Sequence, residues 1–133
     1  MRFVLDASVA ITWAMCDEDH PLAELAFSAL EMRGAAVPAI WWYEIRNILV
    51  INERRGRITA SDVARFLAEL AQFDIAVDAP DNSELVIGLA RKHALSVYDA
   101  AYLALAMKEH LPLATLDKNL ETATIAEGIE LLR

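Results

Sequence analysis

Short apolar runs alternate along the chain with longer segments in which apolar residues recur every three or four positions. The short runs predict β-strands, and the longer segments predict amphipathic helices. The predicted strands cover 2–5, 35–37, 75–77 and 113–116, and the tail at 129–132 predicts a last edge strand. The predicted helices cover 8–16, 22–33, 40–55, 60–73, 80–93, 97–110 and 118–126.

Residues with special backbone or capping chemistry mark several of these boundaries. Gly34 stands just past a predicted helix, where a left-handed residue ends the last turn. Thr59 and Asp62 fit a capping box at the start of the next-but-one helix. Pro80 and Asp81 are residues with which a helix often opens, so the helix that runs to residue 93 is predicted to start there.

Strands that alternate with helical crossovers predict an α/β fold with a parallel sheet covered on both faces. The chain of 133 residues is long enough for one domain, 1–133, with its own core. In such sheets, ligands bind beyond the carboxyl ends of the strands. The residues just past each strand are therefore where chemistry is expected.

The composition is unusually apolar for a small protein. Hydrophobic residues make up 56% of the chain and the mean hydropathy is +0.30. Either the core is very well filled or another chain covers part of the apolar surface, and the second interpretation is favoured. No run is long enough to cross a bilayer, and an acid at position 6 argues against a signal peptide. A cytoplasmic protein is expected, with the single Cys16 packed inertly in a helix.

The net charge of −8 argues against nucleic-acid binding when it is considered alone, because lysine and arginine drive contact with phosphates. Net charge does not say where the charges lie. Acids pooled in one site require a cation, and that cation reverses the local sign. The loop acids Asp17, Glu18 and Asp19, and Glu53 beside a run of arginines, are interpreted as solvated surface.

Four other acids interrupt apolar surroundings at the ends of predicted elements: Asp6, Glu44, Asp99 and Asp117. Each has an ordinary interpretation. The three aspartates fit helix caps, and Glu44 fits an ion pair with a surface arginine. Asp99 taken alone is better explained as part of a capping box with Ser96.

The ordinary interpretation does not explain why these acids are expected to lie close together. Asp6 and Asp117 end strands on the same edge of a parallel sheet, and the helix that Asp99 opens can start above that edge. Carboxylates that close together repel and take up protons unless a cation is bound. Oxygen-only ligands favour Mg²⁺ or Mn²⁺ over Zn²⁺. The scattered histidines form no zinc motif and are expected on the surface or at an interface.

Four motifs in order carry a family resemblance: LDAS at 5–8, YEIRN at 43–47, LSVYDAAYLALA at 95–106 and LATLDKNL at 113–120. With these motifs the chain resembles the PIN-domain ribonucleases, and among them the VapC toxins of VapBC toxin–antitoxin pairs. The resemblance spans essentially the whole length. It implies a three-layer α/β/α PIN domain with a short, mostly parallel central sheet.

The resemblance also implies a site. Asp6, Glu44, Asp99 and Asp117 match the acids that bind one or two Mg²⁺ or Mn²⁺ ions in the family. Ser8 and Thr115 match hydroxyl residues that often line the pocket, and Asn47 matches an asparagine one turn after the glutamate.

The implied reaction is hydrolysis of an RNA phosphodiester bond, which in the family arrests growth. Asp6 and Asp99 hold the principal ion, and Glu44 and Asp117 complete its shell, partly through water. The implied partners are RNA, a VapB-type antitoxin and a second copy of the chain. Trp13 and Met15, with residues 22–30, are candidates for the antitoxin groove, although they also fit a core.

Two surface features have two interpretations each. Trp41, Trp42 and Tyr43 either stack bases or, as is favoured for at least two of them, are buried in the core or at an interface. The arginines of the long helix and its turn either track the RNA backbone or only solubilise the chain. This group comprises Arg46, Arg54, Arg55, Arg57 and Arg65; Lys118, beside Asp117, is the basic residue best placed to meet a phosphate.

Two alternatives to a nuclease stay open from the sequence. One is an aspartate-based phosphotransfer domain, although LDAS lacks the second acid two residues on, and no acidic pair precedes Asp6. The other is a PIN fold kept only as a binding module, which loss of an acid favours; all four acids are present.

Overall fold

The computed structural model describes residues 1–15 and 20–133. The strands are β1 (Phe3–Leu5), β2 (Ala35–Pro38), β3 (Ile75–Asp78) and β4 (Leu113–Ala114). The helices are α1 (Ala7–Ala10), α2 (Pro21–Arg33), α3 (Ile40–Arg54), α4 (Ala60–Leu70), α5 (Ser83–His93), α6 (Val97–Glu109) and α7 (Lys118–Ala126). A 3₁₀ turn, Ile11–Ala14, continues α1.

The four strands form one sheet in the order β3-β2-β1-β4, and every pairing is parallel. Val4 of β1 pairs with Ala36 of β2 on one side and with Leu113 of β4 on the other. The two central strands are buried along their whole length, as a sheet covered by helices requires. Helices α2 and α6 both contact β1, so the predicted three-layer α/β/α fold is confirmed.

The strand order reverses at β1. The chain passes from β1 through β2 to β3 in one direction, and then returns past β1 to place β4 on its other side. Helix α6, which leads into β4, packs across β1, β2 and β4. Such a reversal opens a crevice at the carboxyl ends of the strands, where open α/β sheets bind ligands.

Local chemistry sets several helix ends where it was expected to. Gly34 ends α2 with φ of 73°, and a Cβ built on it would lie 2.7 Å from the Asp74 carboxylate, so only glycine fits. Thr59 and Asp62 form both hydrogen bonds of the predicted capping box at α4.

Some boundaries were predicted wrongly. The helix predicted over 8–16 is the short α1 followed by a 3₁₀ turn. The helix predicted to open at Pro80 begins at Ser83, because the Asn82 side chain accepts a hydrogen bond from the Leu85 amide and caps it there. The strand predicted over 113–116 ends at Ala114, and the tail forms a single bridge, Leu113 with Leu131, in place of a strand. The predictions for Cys16 and for the loop acids at 17–19 lie outside the described residues.

No helix within residues 1–15 and 20–133 combines the length and the apolar character needed to cross a membrane.

Candidate functional site

Asp6 follows β1 directly and is only 5% exposed. Its side chain does not cap α1, so the ordinary interpretation of this residue is wrong. Its Oδ2 instead accepts two hydrogen bonds of 2.7 Å, one from the Ser8 hydroxyl and one from the Thr115 hydroxyl. Burial raises the pKa of the Asp6 carboxyl, and these hydroxyls oppose the rise.

The two hydroxyls also join Asp6 to the segment after β4. Ser8 Oγ accepts a hydrogen bond of 3.0 Å from the Leu116 amide, and Thr115 Oγ1 accepts one of 3.0 Å from the Asp117 amide. Each hydroxyl therefore donates to the carboxylate and accepts from the backbone, which uses both of its hydrogen-bonding roles. This network fixes the start of α7 relative to the end of β1.

Asp117 is the N-cap residue of α7. Its Oδ1 accepts hydrogen bonds from the amides of Asn119 at 2.8 Å and Leu120 at 3.2 Å. The capping interpretation of Asp117 is therefore confirmed. Its Oδ2 accepts no hydrogen bond from the described residues, so capping and a role in the site use different oxygens.

Asp99 stands in the first turn of α6, at the start of the helix that crosses the sheet. Ser96 caps this helix, because its hydroxyl accepts a hydrogen bond of 3.0 Å from the Asp99 amide. The Asp99 carboxylate is half-buried. Burial raises its pKa, and the nearby charges of Asp117 and Asp6 raise it further.

Glu44 is half-buried in the second turn of α3, and its Oε1 accepts a hydrogen bond of 2.5 Å from the Tyr102 hydroxyl. Burial raises the pKa of the Glu44 carboxyl. The Tyr102 hydrogen bond opposes that rise, and the charges of Asp6 and Asp99 add to it. A surface ion pair, the ordinary interpretation of Glu44, is not formed.

The four carboxylates, which come from β1, α3, α6 and the turn after β4, influence one another electrostatically. The charge of Asp117 raises the pKa of Asp6, and the charges of Asp117 and Asp6 raise the pKa of Asp99. The charges of Asp6 and Asp99 raise the pKa of Glu44. Within residues 1–15 and 20–133, no basic side chain is among the causes of the raised pKa values of Asp6, Glu44 and Asp99. These acids and Asp117 therefore lie near one another where the strand order reverses, and no base of the described residues offsets the charge at the first three.

This donor set fits a hard divalent cation. All the donors are carboxylate or hydroxyl oxygens, which suit Mg²⁺ or Mn²⁺. Among the described residues, no three His, Cys, Asp or Glu side chains are already drawn together tightly enough to hold a metal ion. Carboxylates that lie near one another repel, and a divalent cation bound among them would offset that repulsion.

The remaining predicted site residues lie farther out. Asn47 is exposed one turn along α3 from Glu44, and Arg54, Arg55 and Lys118 are exposed as well. Their positions leave them accessible to a large substrate.

Of the three aromatic residues before Glu44, only one is buried in the core, and burial of the other two at a protein interface stays a prediction. Trp41 is buried, but Trp42 is 45% exposed and Tyr43 is 65% exposed. The core-facing stripe of α3 contains Trp41, Ile45 and Leu49, which places the next two residues on other faces. The Arg46 guanidinium lies 3.6 Å from the centre of the Trp42 ring.

Tyr102 lies within the motif at 95–106 and was not singled out from the sequence as a site residue. Tyr102 is fully buried, yet its hydroxyl contacts Glu44. The available signal was its position three residues after Asp99, which puts the two side chains on one side of the helix.

The described residues form two sizeable grooves. One of about 520 Å³ is lined by Trp13 and Met15 together with Ile58, which precedes α4, and Phe66 of α4. Residues 22–30 do not line this groove. Trp13 donates a hydrogen bond to the Ala23 carbonyl, and the antitoxin surface predicted over Trp13, Met15 and residues 22–30 stays a prediction. The second groove, of about 1000 Å³, lies between the start of α3, the end of β3, α5 and α6.

Comparisons with known proteins agree with this architecture. A family model described as the PIN domain matches residues 3–125. The chain is 36% identical over 124 residues to Ribonuclease VapC3 of Pyrobaculum aerophilum, covering 90% of this chain and 92% of that protein. The crystal structure of PAE2754 from Pyrobaculum aerophilum has the same fold, with a TM-score of 0.73 at 23% identity, covering 92% of this chain and 84% of that one.

A parallel sheet covered by helices, with acidic residues where its strand order reverses, defines the class of α/β domain. The chain belongs to the PIN-domain family. The resemblance to VapC-type members, first indicated by four short motifs, is confirmed.

Proposed function

We propose that this protein is an Mg²⁺- or Mn²⁺-dependent endoribonuclease that acts as the toxin of a type II toxin–antitoxin system in the cytoplasm. One observation carries the proposal: the nearly buried Asp6 carboxylate interacts electrostatically with Asp117, Glu44 and Asp99, and no basic side chain of the described residues is among the causes of its raised pKa. The similarity to Ribonuclease VapC3 supports RNA as the substrate.

In this proposal, different residues of the chain bind the cation directly, complete its coordination shell or orient its ligands. Asp6 and Asp99 are the principal ligands, and Glu44 and Asp117 complete the shell, partly through water. Ser8 and Thr115 orient the Asp6 carboxylate through its Oδ2. When bound, a divalent cation acidifies water and stabilises the negative charge that develops on a phosphodiester. The protein then needs no serine, cysteine or histidine nucleophile.

Exposed polar residues around the acids are the proposed contacts for RNA. Arg54, Arg55 and Lys118 attract the phosphate backbone and offset the net charge of −8. Asn47, one helical turn from Glu44, supplies an uncharged amide at the edge of the site. A phosphotransfer domain has no comparable support, because Ser8 occupies the position where a second acid is required.

The test is cleavage of a mixed RNA by the purified protein in buffers that contain either Mg²⁺ or EDTA. Cleavage is expected only with the cation, and Asp6→Asn and Asp99→Asn are expected to reduce it to background. Asp78→Asn is the matched control, because Asp78 forms an ion pair with Lys108 outside the acidic cluster. Cleavage that survives in both site variants would falsify the proposal.

The same preparations test the RNA contacts. Replacing Arg54 and Arg55 with Gln is expected to weaken RNA binding at low salt several-fold and to reduce its salt dependence, because fewer counterions are released. An unchanged affinity at low salt assigns these arginines to solubility alone.

The proposed partners are a VapB-type antitoxin and a second copy of the chain. The groove beside Trp13 and Met15 is the candidate antitoxin surface, since it combines apolar side chains with charges from α4. Expression of the chain is expected to arrest growth, and a small antitoxin encoded by a neighbouring gene is expected to relieve the arrest. Light scattering on the purified protein tests the dimer, and a monomer mass contradicts it.

A further inference from the structure

Tyr102 connects three elements that carry site residues. It belongs to α6, three residues after Asp99, and is fully buried. Its hydroxyl donates to Glu44 Oε1 on α3 and accepts a hydrogen bond of 3.4 Å from the Ala7 amide, the first residue of α1 after Asp6. One hydroxyl thus touches the helix that holds Glu44 and the backbone beside Asp6.

The contact matters because Glu44 has few other restraints. Its side chain has three rotatable bonds and is only half-buried, so it loses conformational entropy when it is held in one place. Among the described residues, the Tyr102 hydroxyl is the only group that donates a hydrogen bond to it. The tyrosine ring is packed in the core and cannot move away, so the donor is rigid. Hydrogen bonds to a carboxylate are among the stronger ones in proteins.

We propose that Tyr102 is a positioning residue: its hydroxyl holds Glu44 Oε1 and leaves Oε2 as the oxygen available to a divalent cation. This inference rests on the proposed metal-dependent function. It assigns to Tyr102 a role in cation affinity that acts through Glu44, which differs from packing in the core.

A purely structural role predicts a different result. A buried hydroxyl needs a hydrogen-bond partner, and Glu44 supplies one whether or not the site binds a cation. In that case removing the hydroxyl changes stability but leaves cation affinity unchanged. The two roles are separated by measuring affinity and stability on the same variants.

The test is calorimetric titration of the full chain with Mn²⁺. Tyr102→Phe is expected to weaken Mn²⁺ binding about tenfold, which corresponds to about 1.4 kcal/mol. The matched control is Tyr98→Phe, which removes the same oxygen one turn earlier on α6 from a side chain that is 60% exposed. The control is expected to bind Mn²⁺ like the unmodified protein.

A double-mutant cycle shows whether Tyr102 acts through Glu44. Glu44→Gln weakens Mn²⁺ binding on its own, and adding Tyr102→Phe to it is expected to change nothing further. An equal loss in both backgrounds, or no loss from Tyr102→Phe in the unmodified background, overturns the inference. Thermal melting without cation verifies that each variant is folded.

A second substitution guards against a packing defect at position 102. 4-Fluorophenylalanine there fills the space of the hydroxyl without offering a donor, and it is expected to lose the same affinity as Tyr102→Phe. Retained affinity overturns the inference. If the unmodified protein binds no Mn²⁺ and cleaves no RNA, the proposed function itself fails. Failure of the inference alone leaves both of those activities intact.

Discussion

The acids at the edge of the sheet and Glu127, an acid distant from that edge along the chain, have opposite electrostatic surroundings. Glu127, at the end of α7, accepts hydrogen bonds from Lys92 at 2.8 Å and His93 at 2.6 Å, and these partners lower its pKa. At the edge of the sheet, burial raises the pKa of Asp6, Glu44 and Asp99, and neighbouring carboxylates raise it further.

This difference in electrostatic surroundings indicates which acids belong to a candidate functional site. The Glu127 carboxylate is stabilised by bases that the chain itself provides. The edge acids are kept together although burial and mutual repulsion disfavour their charged forms. Groups that destabilise the fold and are nevertheless brought together mark a candidate functional site. The missing positive charge is what a divalent cation supplies.

The largest expected effect that tests this comparison is stabilisation by the cation. At a concentration 100 times its Kd, Mg²⁺ or Mn²⁺ is expected to stabilise the folded chain by about 2.7 kcal/mol, because it binds the folded state alone. Thermal melting against NaCl of equal ionic strength measures this. Asp6→Asn is expected to abolish the stabilisation and Glu127→Gln to retain it. Equal stabilisation of the unmodified chain and Asp6→Asn contradicts a cation site at Asp6.

The second effect is the pH dependence of stability without cation. The raised pKa of Asp6 means that its contribution to stability is fully present below its ordinary value of 3.8 and is lost as pH rises through the raised folded value. Asp6→Asn, which stays neutral, is therefore expected to be more stable than the unmodified chain at neutral pH. The gain is about 1.4 kcal/mol for each pKa unit of the shift.

Urea unfolding in EDTA from pH 4 to pH 8 measures that gain. The difference between Asp6→Asn and the unmodified chain is expected to shrink toward pH 4, where Asp6 becomes protonated. A difference that grows as the pH falls reverses the sign and rules out a raised pKa at Asp6.

The strands were predictable because they are short apolar runs. The positions of the acids were predictable because each acid interrupts an apolar stretch. Phe3–Leu5 and Ala35–Pro38 are apolar runs that end at a polar residue or a proline, and their burial follows from their central places in the sheet. The exposure of Trp42 was equally predictable, because the helical period of α3 that buries Trp41 turns the next residue away from the core.

Contacts between distant segments could not be predicted. Glu44 and Tyr102 are 58 positions apart, and Asp6 and Thr115 are 109 apart. Whether a buried hydroxyl meets a carboxylate depends on how α3 and α6 cross, which no local pattern encodes. The early end of β4 has a similar cause, since the Thr115 hydroxyl contacts Asp6 and the Asp117 amide at the point where the strand was expected to continue.

The smallest expected effect concerns Glu127. Glu127→Gln removes its ion pair with Lys92, whose side chain is exposed to solvent, and solvent-exposed pairs contribute roughly 0–1 kcal/mol. Because the pKa of Glu127 is lowered, its contribution is present above its ordinary value of 4.5 and is lost as pH falls through the lowered folded value. Denaturant unfolding at low and high salt measures it, and the loss is expected to shrink as salt screens the charges.

That pH response is opposite in sign to the response expected at Asp6, although both side chains are carboxylates of the same chain. If Glu127→Gln stabilises the chain at neutral pH as Asp6→Asn is expected to, then compensation by Lys92 and His93 does not distinguish the two regions. The difference between the pKa shifts of Asp6 and Glu127 then reflects burial alone. In that case the absence of a compensating base does not identify the functional site.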